Sequence, residues 1–217
     1  MKKIISFATV FIIFFPAHKS IALENYSYGF NFGINYNKIQ YEEGYIYVVD
    51  KYSYPCGFTA GVYLEIPLSK RWAIINEINV QRSYMKMHIW TDIDMIDQEY
   101  NMSFLCVPIL VKYDPKVCFL PFIIAGPGFK YPINARYNSK AVFSNYDSHH
   151  DLDISNELPS FSTSAVLGIG KEFDISNFSL FLQIRGQISI TKYKLAFAPE
   201  WYTKSIHFLI GFTYYKE

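Results

Sequence analysis

The residues best suited to chemistry lie in a polar segment near position 150. His149 and His150 stand beside Ser148 and Asp151, and a histidine held next to a serine or an acid is the arrangement that activates a nucleophile for acyl transfer. His88 is a further candidate for the same role. All of these residues fall in segments predicted to be solvated loops, where histidines are ordinary, so no catalytic residue is predicted.

The same segment carries groups that could bind a metal ion. Asp147, Asp151 and Asp153 surround the two histidines, but their spacing matches no standard metal site. A flexible acidic loop explains this composition more simply. The sequence therefore predicts no metal site, and it predicts no cofactor.

A second set of polar residues occurs at alternate positions inside otherwise apolar segments. It comprises Glu65, Glu77, Lys112, Glu172, Gln183, Arg185 and Gln187. Charged groups removed from water are costly unless they are paired and hydrogen-bonded. The set therefore predicts a network of ion pairs in the interior of the fold rather than a catalytic site. The alternation of the residues around the set indicates which of its members lie close together.

That pattern is clearest between Tyr26 and Tyr36, where every second residue is aromatic or isoleucine and the others are serine, glycine or asparagine. In a strand these two sets lie on opposite faces. The polar face carries no charge, which is unusual for a surface in contact with water. We therefore predict that the aromatic face looks outward into lipid and that Gly29 and Gly33 leave room inside for longer charged side chains.

The same period of two returns in seven later segments, which gives eight predicted strands. These segments are 58–66, 72–81, 105–113, 119–130, 161–173, 178–190 and 205–214. Proline has no N–H to donate to a ladder. Bulges or local breaks are therefore predicted at Pro108, Pro121 and Pro127.

The connections between these strands alternate in length. Short ones are predicted at 67–71, 114–117 and 174–177, and long ones at 37–57, 85–101, 132–160 and 191–203. An up-and-down barrel with its tight turns at one end and its loops at the other has this pattern. We predict an all-β fold, an eight-stranded antiparallel up-and-down transmembrane β-barrel, in which the first strand closes against the last.

Eight strands enclose an interior just wide enough to be filled by side chains, so no open pore is predicted. Counted from the tight turns, Glu65, Lys112 and Glu172 lie near one end of the barrel. Glu77 and Arg185 lie at about mid-height. The sequence thus predicts two polar layers inside the barrel.

Residues 1–22 are predicted to be a cleaved signal peptide, which leaves residues 23–217 as the barrel domain. Lys2 and Lys3 precede a short apolar run, and small residues stand before the expected cleavage point after Ala22. The apolar run is too short to span a membrane as a helix. Removing this segment leaves a small excess of acidic residues, which gives no support for a nucleic-acid partner.

Composition narrows the class of protein further. Aromatic residues make up 19% of the chain and charged residues 18%, so the chain is too apolar to be disordered. Cys56, Cys106 and Cys118 are an odd number in an oxidising compartment. They cannot form a full disulfide framework, and we predict small apolar fillers and one loop thiol.

A series of short motifs resembles the PorT-like outer-membrane β-barrel family. The motifs are GVYLEIP at 61–67, VPILVKY at 107–113, AGPG at 125–128, QIR at 183–185 and GFTY at 211–214. The resemblance covers nearly all of the chain after residue 22. It implies an eight-stranded, OmpA/OmpX-like barrel in the bacterial outer membrane, with a link to protein secretion.

The expected function is that of an integral outer-membrane barrel without enzymatic activity, with a structural or accessory role or a role in presenting its loops. Its expected partners are outer-membrane lipid, the barrel-assembly machinery during insertion and a protein bound by the loops. The alternative is a lipid-A acylase or deacylase that uses the histidines named above. A soluble barrel with an apolar ligand is disfavoured, because the inward charges would then face water while the apolar band filled a small lumen.

Overall fold

The structure, a computed structural model, describes residues 26–41, 48–53, 56–90, 95–117, 119–143, 146–175, 177–195 and 198–215. Eleven strands lie in these ranges. They are β1 (Ser27–Tyr41), β2 (Val48–Ser53), β3 (Gly57–Pro67), β4 (Trp72–Trp90), β5 (Met95–Tyr113), β6 (Phe122–Phe143), β7 (Tyr146–Asp153), β8 (Ser162–Ile175), β9 (Phe178–Ser189), β10 (Tyr193–Leu195) and β11 (Ala198–Tyr215). The predicted signal peptide lies outside the described residues.

Eight of these strands close into an antiparallel barrel in the order β1, β3, β4, β5, β6, β8, β9 and β11. The seam joins β1 to β11, from Ser27 opposite Tyr215 to Tyr41 opposite Trp201. Closure leaves no barrel strand with a free edge, which a β-structure in lipid requires. The prediction of an all-β, eight-stranded antiparallel barrel with its first strand against its last is confirmed.

The two faces of each strand follow the sequence pattern. On β1 the side chains of Tyr28, Phe30 and Phe32 are exposed on the outside, whereas Asn31 and Asn35 are buried inside. The outer aromatics also pack across the seam, with Phe30 and Phe212 at 5.0 Å between ring centroids. The prediction of an outward apolar face and an inward polar face is confirmed for this strand.

The prediction of long loops is mostly wrong, because β-strands occupy much of the segments predicted to be loops. β4 runs on to Trp90 and β5 begins at Met95, so the segment 85–101 is largely a hairpin in which Met85 lies opposite Tyr100. The outward residues of this region change from apolar to charged, as at Lys86 and Glu99. The hydrogen-bonded ladder between β4 and β5 continues after the alternation of apolar residues stops. The strand ends were predicted from that alternation, so they were placed too early.

The other predicted loops also contain strands. β2 in the segment 37–57 pairs with β4, β7 in the segment 132–160 pairs with β6, and β10 in the segment 191–203 pairs with β11. β1, β6 and β11 extend into the same segments. Residues 42–47, 54–55, 91–94, 144–145 and 196–197 of the predicted loops lie outside the described part of the chain.

One predicted tight turn is too short. The connection between β5 and β6 runs from 114 to 121 rather than 114 to 117. Pro115 and Pro121 bracket it, and neither can donate to a ladder. Phe119, which the sequence assigned to the next strand, is 91% exposed in this connection.

The prolines within the strands interrupt the ladder without shifting its register. Pro127 lies opposite Ala165 in a continuous register, and the register across Pro108 is the same before and after it. The pairing of β5 with β6 shifts instead between Ser103 and Phe104, opposite Pro132. No bulge forms at Pro108 or Pro127, but the ladder pairs around both prolines are missing between β5 and its neighbours. The predicted local breaks are therefore present, and the predicted bulges are not.

Gly29 and Gly33 are needed for a different reason from the one predicted. A Cβ atom at Gly29 would lie 1.9 Å from the carbonyl oxygen of Phe212 and 2.6 Å from the hydroxyl of Tyr63. A Cβ atom at Gly33 would lie 1.9 Å from the carbonyl oxygen of Phe208. These glycines admit the backbone of β11 and a tyrosine, not longer charged side chains.

No described segment forms a helix with the length and apolar character that a membrane crossing needs.

Candidate functional site in the barrel lumen

The barrel has two unlike ends, which position every inward side chain. The connections 68–71, 114–121 and 176–177 lie at one end, called here the turn end. The other end, called the loop end, carries β2, β7 and β10. Distance along a strand from its tight turn therefore sets the height of each inward residue in the lumen.

Three charged side chains meet near the turn end. Lys112 on β5 lies between Glu65 on β3 and Glu172 on β8, and all three face inward. Its Nζ atom lies 3.1 Å from both carboxylate oxygens of Glu65 and 2.7 Å from Oε1 of Glu172. The same ammonium lies 4.9 Å from the ring centre of Phe122, which also favours a cation. One lysine thus joins three strands across the lumen.

A second ion pair occupies the middle of the barrel. Arg185 on β9 donates from Nη1 and Nη2 to the two carboxylate oxygens of Glu77 on β4, each at 2.8 Å. This bidentate geometry is the strongest form of a charged hydrogen bond. Gln183 accepts from Arg185 Nη2 at 2.7 Å, and Asn79 donates to Glu77 at 2.8 Å. Both charges are almost completely buried.

Neutral polar side chains continue this network along the lumen. Gln187, a residue of the predicted set, donates to Oγ of Ser164 at 2.7 Å. Gln81 donates to Asn37 Oδ1 at 3.2 Å, and Asn37 donates to Oδ1 of Asn35. The predicted set does not include Gln81, Asn37 or Asn35. Their inward positions in the period of two are the signal that could have identified them.

An apolar cluster fills the lumen toward the loop end, which the sequence analysis did not predict. It contains Met85, Tyr100, Met102, Phe104, Cys106, Ala135, Tyr137, Ile154, Leu158, Tyr193 and Trp201. The rings of Tyr193 and Trp201 stack at 4.5 Å between centroids. These residues point inward at alternate positions, as the residues of the polar layers do, but their side chains are apolar.

The segment that follows β7 folds back onto this cluster. The N–H of Ile154 donates to the carbonyl of Ala135 at 3.0 Å, and the N–H of Ala135 donates to Oγ of Ser155 at 2.8 Å. The side chains of Ile154 and Leu158 are buried in the cluster. These contacts fasten a short apolar plug inside the wall of β6.

Two small cavities lie along the lumen between the polar layers and the apolar cluster. One cavity of about 20 Å³ lies beside Gln81, Cys106 and His207, and one of about 10 Å³ lies beside Lys130. A larger hollow of about 400 Å³ opens at the turn end beside Lys112. The layers of side chains between the two ends fill the lumen that the described residues enclose.

The rim of the turn-end hollow carries a further ion pair. Lys116 Nζ lies 2.8 Å from Asp114 Oδ2, and the N–H of Lys116 donates to Asp114 Oδ1 at 2.9 Å. Burial alone would raise the pKa of the Asp114 carboxyl, but the hydrogen bonds and the charge of Lys116 outweigh burial and lower this pKa. Asp114 therefore stays ionised in mild acid.

The candidate catalytic side chains that the structure describes are not assembled into a site. His149, His150 and Asp151 are exposed on β7, where successive residues point to opposite faces. The side chains of Ser148 and His88 lie outside the described part of the chain. His207 is buried in the lumen, and its Nε2 lies 3.0 Å from Oγ of Ser205.

The described side chains form neither a metal site nor a pair of neighbouring thiols. Within the described ranges, no group of three His, Cys, Asp or Glu side chains could hold a metal ion. Cys56 is an exposed free thiol and Cys106 a buried one, and Cys118 lies outside these ranges. The side chains of Asp151 and Asp153 are exposed. Hydrogen bonds from the side chain and the N–H of Ser155 lower the pKa of Asp153.

Comparison with known proteins gives a family and a fold. Residues 19–195 match the family model described as an outer membrane protein beta-barrel domain. A search of curated proteins returned no match. Among solved structures, OprG from Pseudomonas aeruginosa is 11% identical, with 89% of this chain and 96% of that chain covered and a TM-score of 0.43.

Two further solved structures are similar at the same level. Ail of Yersinia pestis is 16% identical, with 89% of this chain and all (100%) of that chain covered and a TM-score of 0.39. The outer membrane protease OmpT from Escherichia coli is 6% identical, with coverage of 92% and 99% and a TM-score of 0.43. At these identities the similarity is one of fold alone.

Proposed function

The chain belongs to the family of outer membrane protein beta-barrel domains, and from this membership we propose an integral barrel without an open pore that presents its loop end to a partner outside the cell. Its location is the bacterial outer membrane. The role is structural or accessory, and no enzymatic activity is part of the proposal.

The filled lumen is the observation that carries the first half of the proposal. The set Glu65, Glu77, Lys112, Glu172, Gln183, Arg185 and Gln187 acts in this proposal as a lumen polar network that fastens opposite strands. Above it, the apolar cluster and the plug after β7 occupy the loop end. A passage for ions would need a continuous column of water, and the layers formed by the described residues fill the lumen where it would run.

The length of the strands supports the second half. A transmembrane strand needs about 9 to 11 residues, whereas β4 and β5 have 19 residues each and β6 has 22. The excess lies at the loop end, where outward residues such as Lys86, Glu99 and Arg136 are charged or polar. A hydrogen-bonded sheet that continues beyond the lipid belt offers a rigid surface to which a partner can bind.

Cysteine labelling tests this orientation. In a variant with Cys56→Ser and Cys118→Ser, we expect Asp151→Cys at the loop end to react with a membrane-impermeant maleimide on intact cells. Lys70→Cys at the turn end is the matched control and should react only after the cells are lysed, because it faces the periplasm. Labelling of Lys70→Cys alone on intact cells would contradict the proposed orientation.

The resemblance to PorT-like proteins adds a finer hypothesis, that the partner belongs to a protein-secretion system. The charged loop-end sheet is where such a partner would bind. A deletion strain should then lose secreted proteins from the culture medium, and the wild-type protein should restore them. Unchanged secretion in the deletion strain would remove this hypothesis and leave the barrel proposal intact.

Export and insertion belong to the same proposal. Residues 1–22 act as a signal peptide, and the barrel-assembly machinery inserts residues 23–217 into lipid. Edman sequencing of the protein purified from outer membranes should begin at Leu23. A sequence that begins at Met1 would contradict removal of the segment.

A further inference from the structure

The lumen holds one buried cation with no counterion among the described residues. Lys130 faces inward from β6 with 3% of its surface exposed. Lys112 contacts two carboxylates and Arg185 contacts one, whereas no described acid pairs with Lys130 and no described group accepts a hydrogen bond from it. A buried ammonium is costly unless it is paired. The positive charge of Lys130 therefore requires a nearby anion.

The cross-strand neighbours of Lys130 bring no negative charge. Cys106 lies directly opposite on β5, and Ser162 lies directly opposite on β8. The thiol of Cys106 donates to Oε1 of Gln81 at 3.4 Å, and the hydroxyls of Ser162 and Tyr193 lie 3.0 Å apart. Both neighbours are engaged elsewhere, so neither of them, nor any other residue that the structure describes, supplies a counterion to Lys130.

A cavity of about 10 Å³ lies against Lys130. It has room for no more than one small occupant. Asn37, Ser83 and Thr203 contribute amide or hydroxyl groups to its wall, and the rest is mostly apolar, including Met85 and Phe104. Amide and hydroxyl groups can donate hydrogen bonds to an anion, whereas a polyatomic anion such as phosphate is too large for this space.

We propose that Lys130, with Asn37, Ser83 and Thr203, binds one small monovalent anion of the halide class, with chloride as the natural occupant. The site lies where the polar layers of the lumen meet the apolar cluster. The anion neutralises Lys130 there and so stabilises the folded barrel. This inference does not depend on the proposed role of the loop end.

The first experiment measures thermal unfolding of the protein in a non-ionic detergent. Chloride replaces gluconate at constant ionic strength, because gluconate is too large for the cavity. Above the dissociation constant, each tenfold rise in chloride should raise the midpoint by about 3 to 6 °C. Equal midpoints in chloride and gluconate would overturn the proposal.

Three variants assign the effect to this site. Lys130→Met removes the cation, and its midpoint should not depend on chloride. Cys106→Asp places a carboxylate opposite Lys130 and should also abolish the dependence, because the chain then supplies its own counterion. Lys38→Met removes an exposed lysine of β1 and should keep the wild-type dependence. A chloride effect that persists in Lys130→Met would overturn the assignment.

Crystals grown in bromide give a second measurement that does not rely on stability. We expect one anomalous peak within about 3.5 Å of Lys130 Nζ, at the distance of a charged hydrogen bond to a halide. The same crystals of Lys130→Met should lack it. The absence of a peak at Lys130 in the wild-type protein would overturn the proposal even if Cys106→Asp fails to fold.

Discussion

Arg185 and Glu77 show how single residues hold the lumen together. Each is almost completely buried, and each is the main partner of the other. Arg185→Met should lower the free energy of unfolding by about 3 to 5 kcal/mol, because Glu77 is left as an unpaired buried charge. Urea unfolding in lipid vesicles measures this change.

Two controls separate pairing from packing. The double variant Glu77→Met with Arg185→Met should recover most of the lost stability, because no unpaired charge remains. Lys86→Met, which breaks the exposed pair with Glu99, should change the free energy by less than about 1 kcal/mol. If Arg185→Met is as stable as the wild type, the pair does not have the structural role proposed for it.

The period of two predicts which residues share the lumen. It places Lys112 with Glu65 and Glu172 because all three face inward at a similar distance from the tight turns, and these three groups are in contact in the structure. It does not predict that Lys130 is without an acid among the described residues, because that depends on the register of β6 against β5 and β8. A period of two assigns residues to faces, whereas their cross-strand partners depend also on turn type and loop length.

The outward face of the strands can be tested with one matched pair of substitutions on β1. Phe32 lies in the middle of the apolar belt and is 47% exposed. Phe32→Arg should lower the free energy of unfolding by about 2 to 4 kcal/mol, and Gln40→Arg near the loop end by about 0 to 1 kcal/mol, because the cost of a cation on the lipid face depends on its depth. Urea unfolding in vesicles measures both, and equal effects would contradict a lipid-facing β1.

The strands themselves were predictable only within the lipid belt. There the outward residues must be apolar and the inward residues polar, so β1 and β9 could be predicted from alternation alone. Beyond the belt both faces can be polar, and β4 continues to Trp90 without the signal that marked its first half. β7 was missed for the same reason, since His149 and Asp151 resemble loop residues by composition.

At the scale of the whole molecule, the closed barrel was predictable from the count of strands and from the two unlike faces of each strand. The plug at the loop end does not follow from them, because it depends on how Ile154 and Leu158 fold back against Trp201 and its neighbours. Ion pairs near the turn end and in the middle, with an apolar cluster near the loop end, together fill one narrow lumen. We therefore expect the whole molecule to be a membrane barrel that does not conduct ions.

Conductance in a planar lipid bilayer tests this claim most directly. Folded protein, identified by heat-modifiable mobility on a gel, is added to the bilayer, with a general porin as the positive control. We expect no stepwise ion current from the wild-type protein, because the layers around Lys112, Arg185 and Trp201 leave no continuous water column. Stable, reproducible current steps from the folded wild-type barrel would contradict a filled lumen.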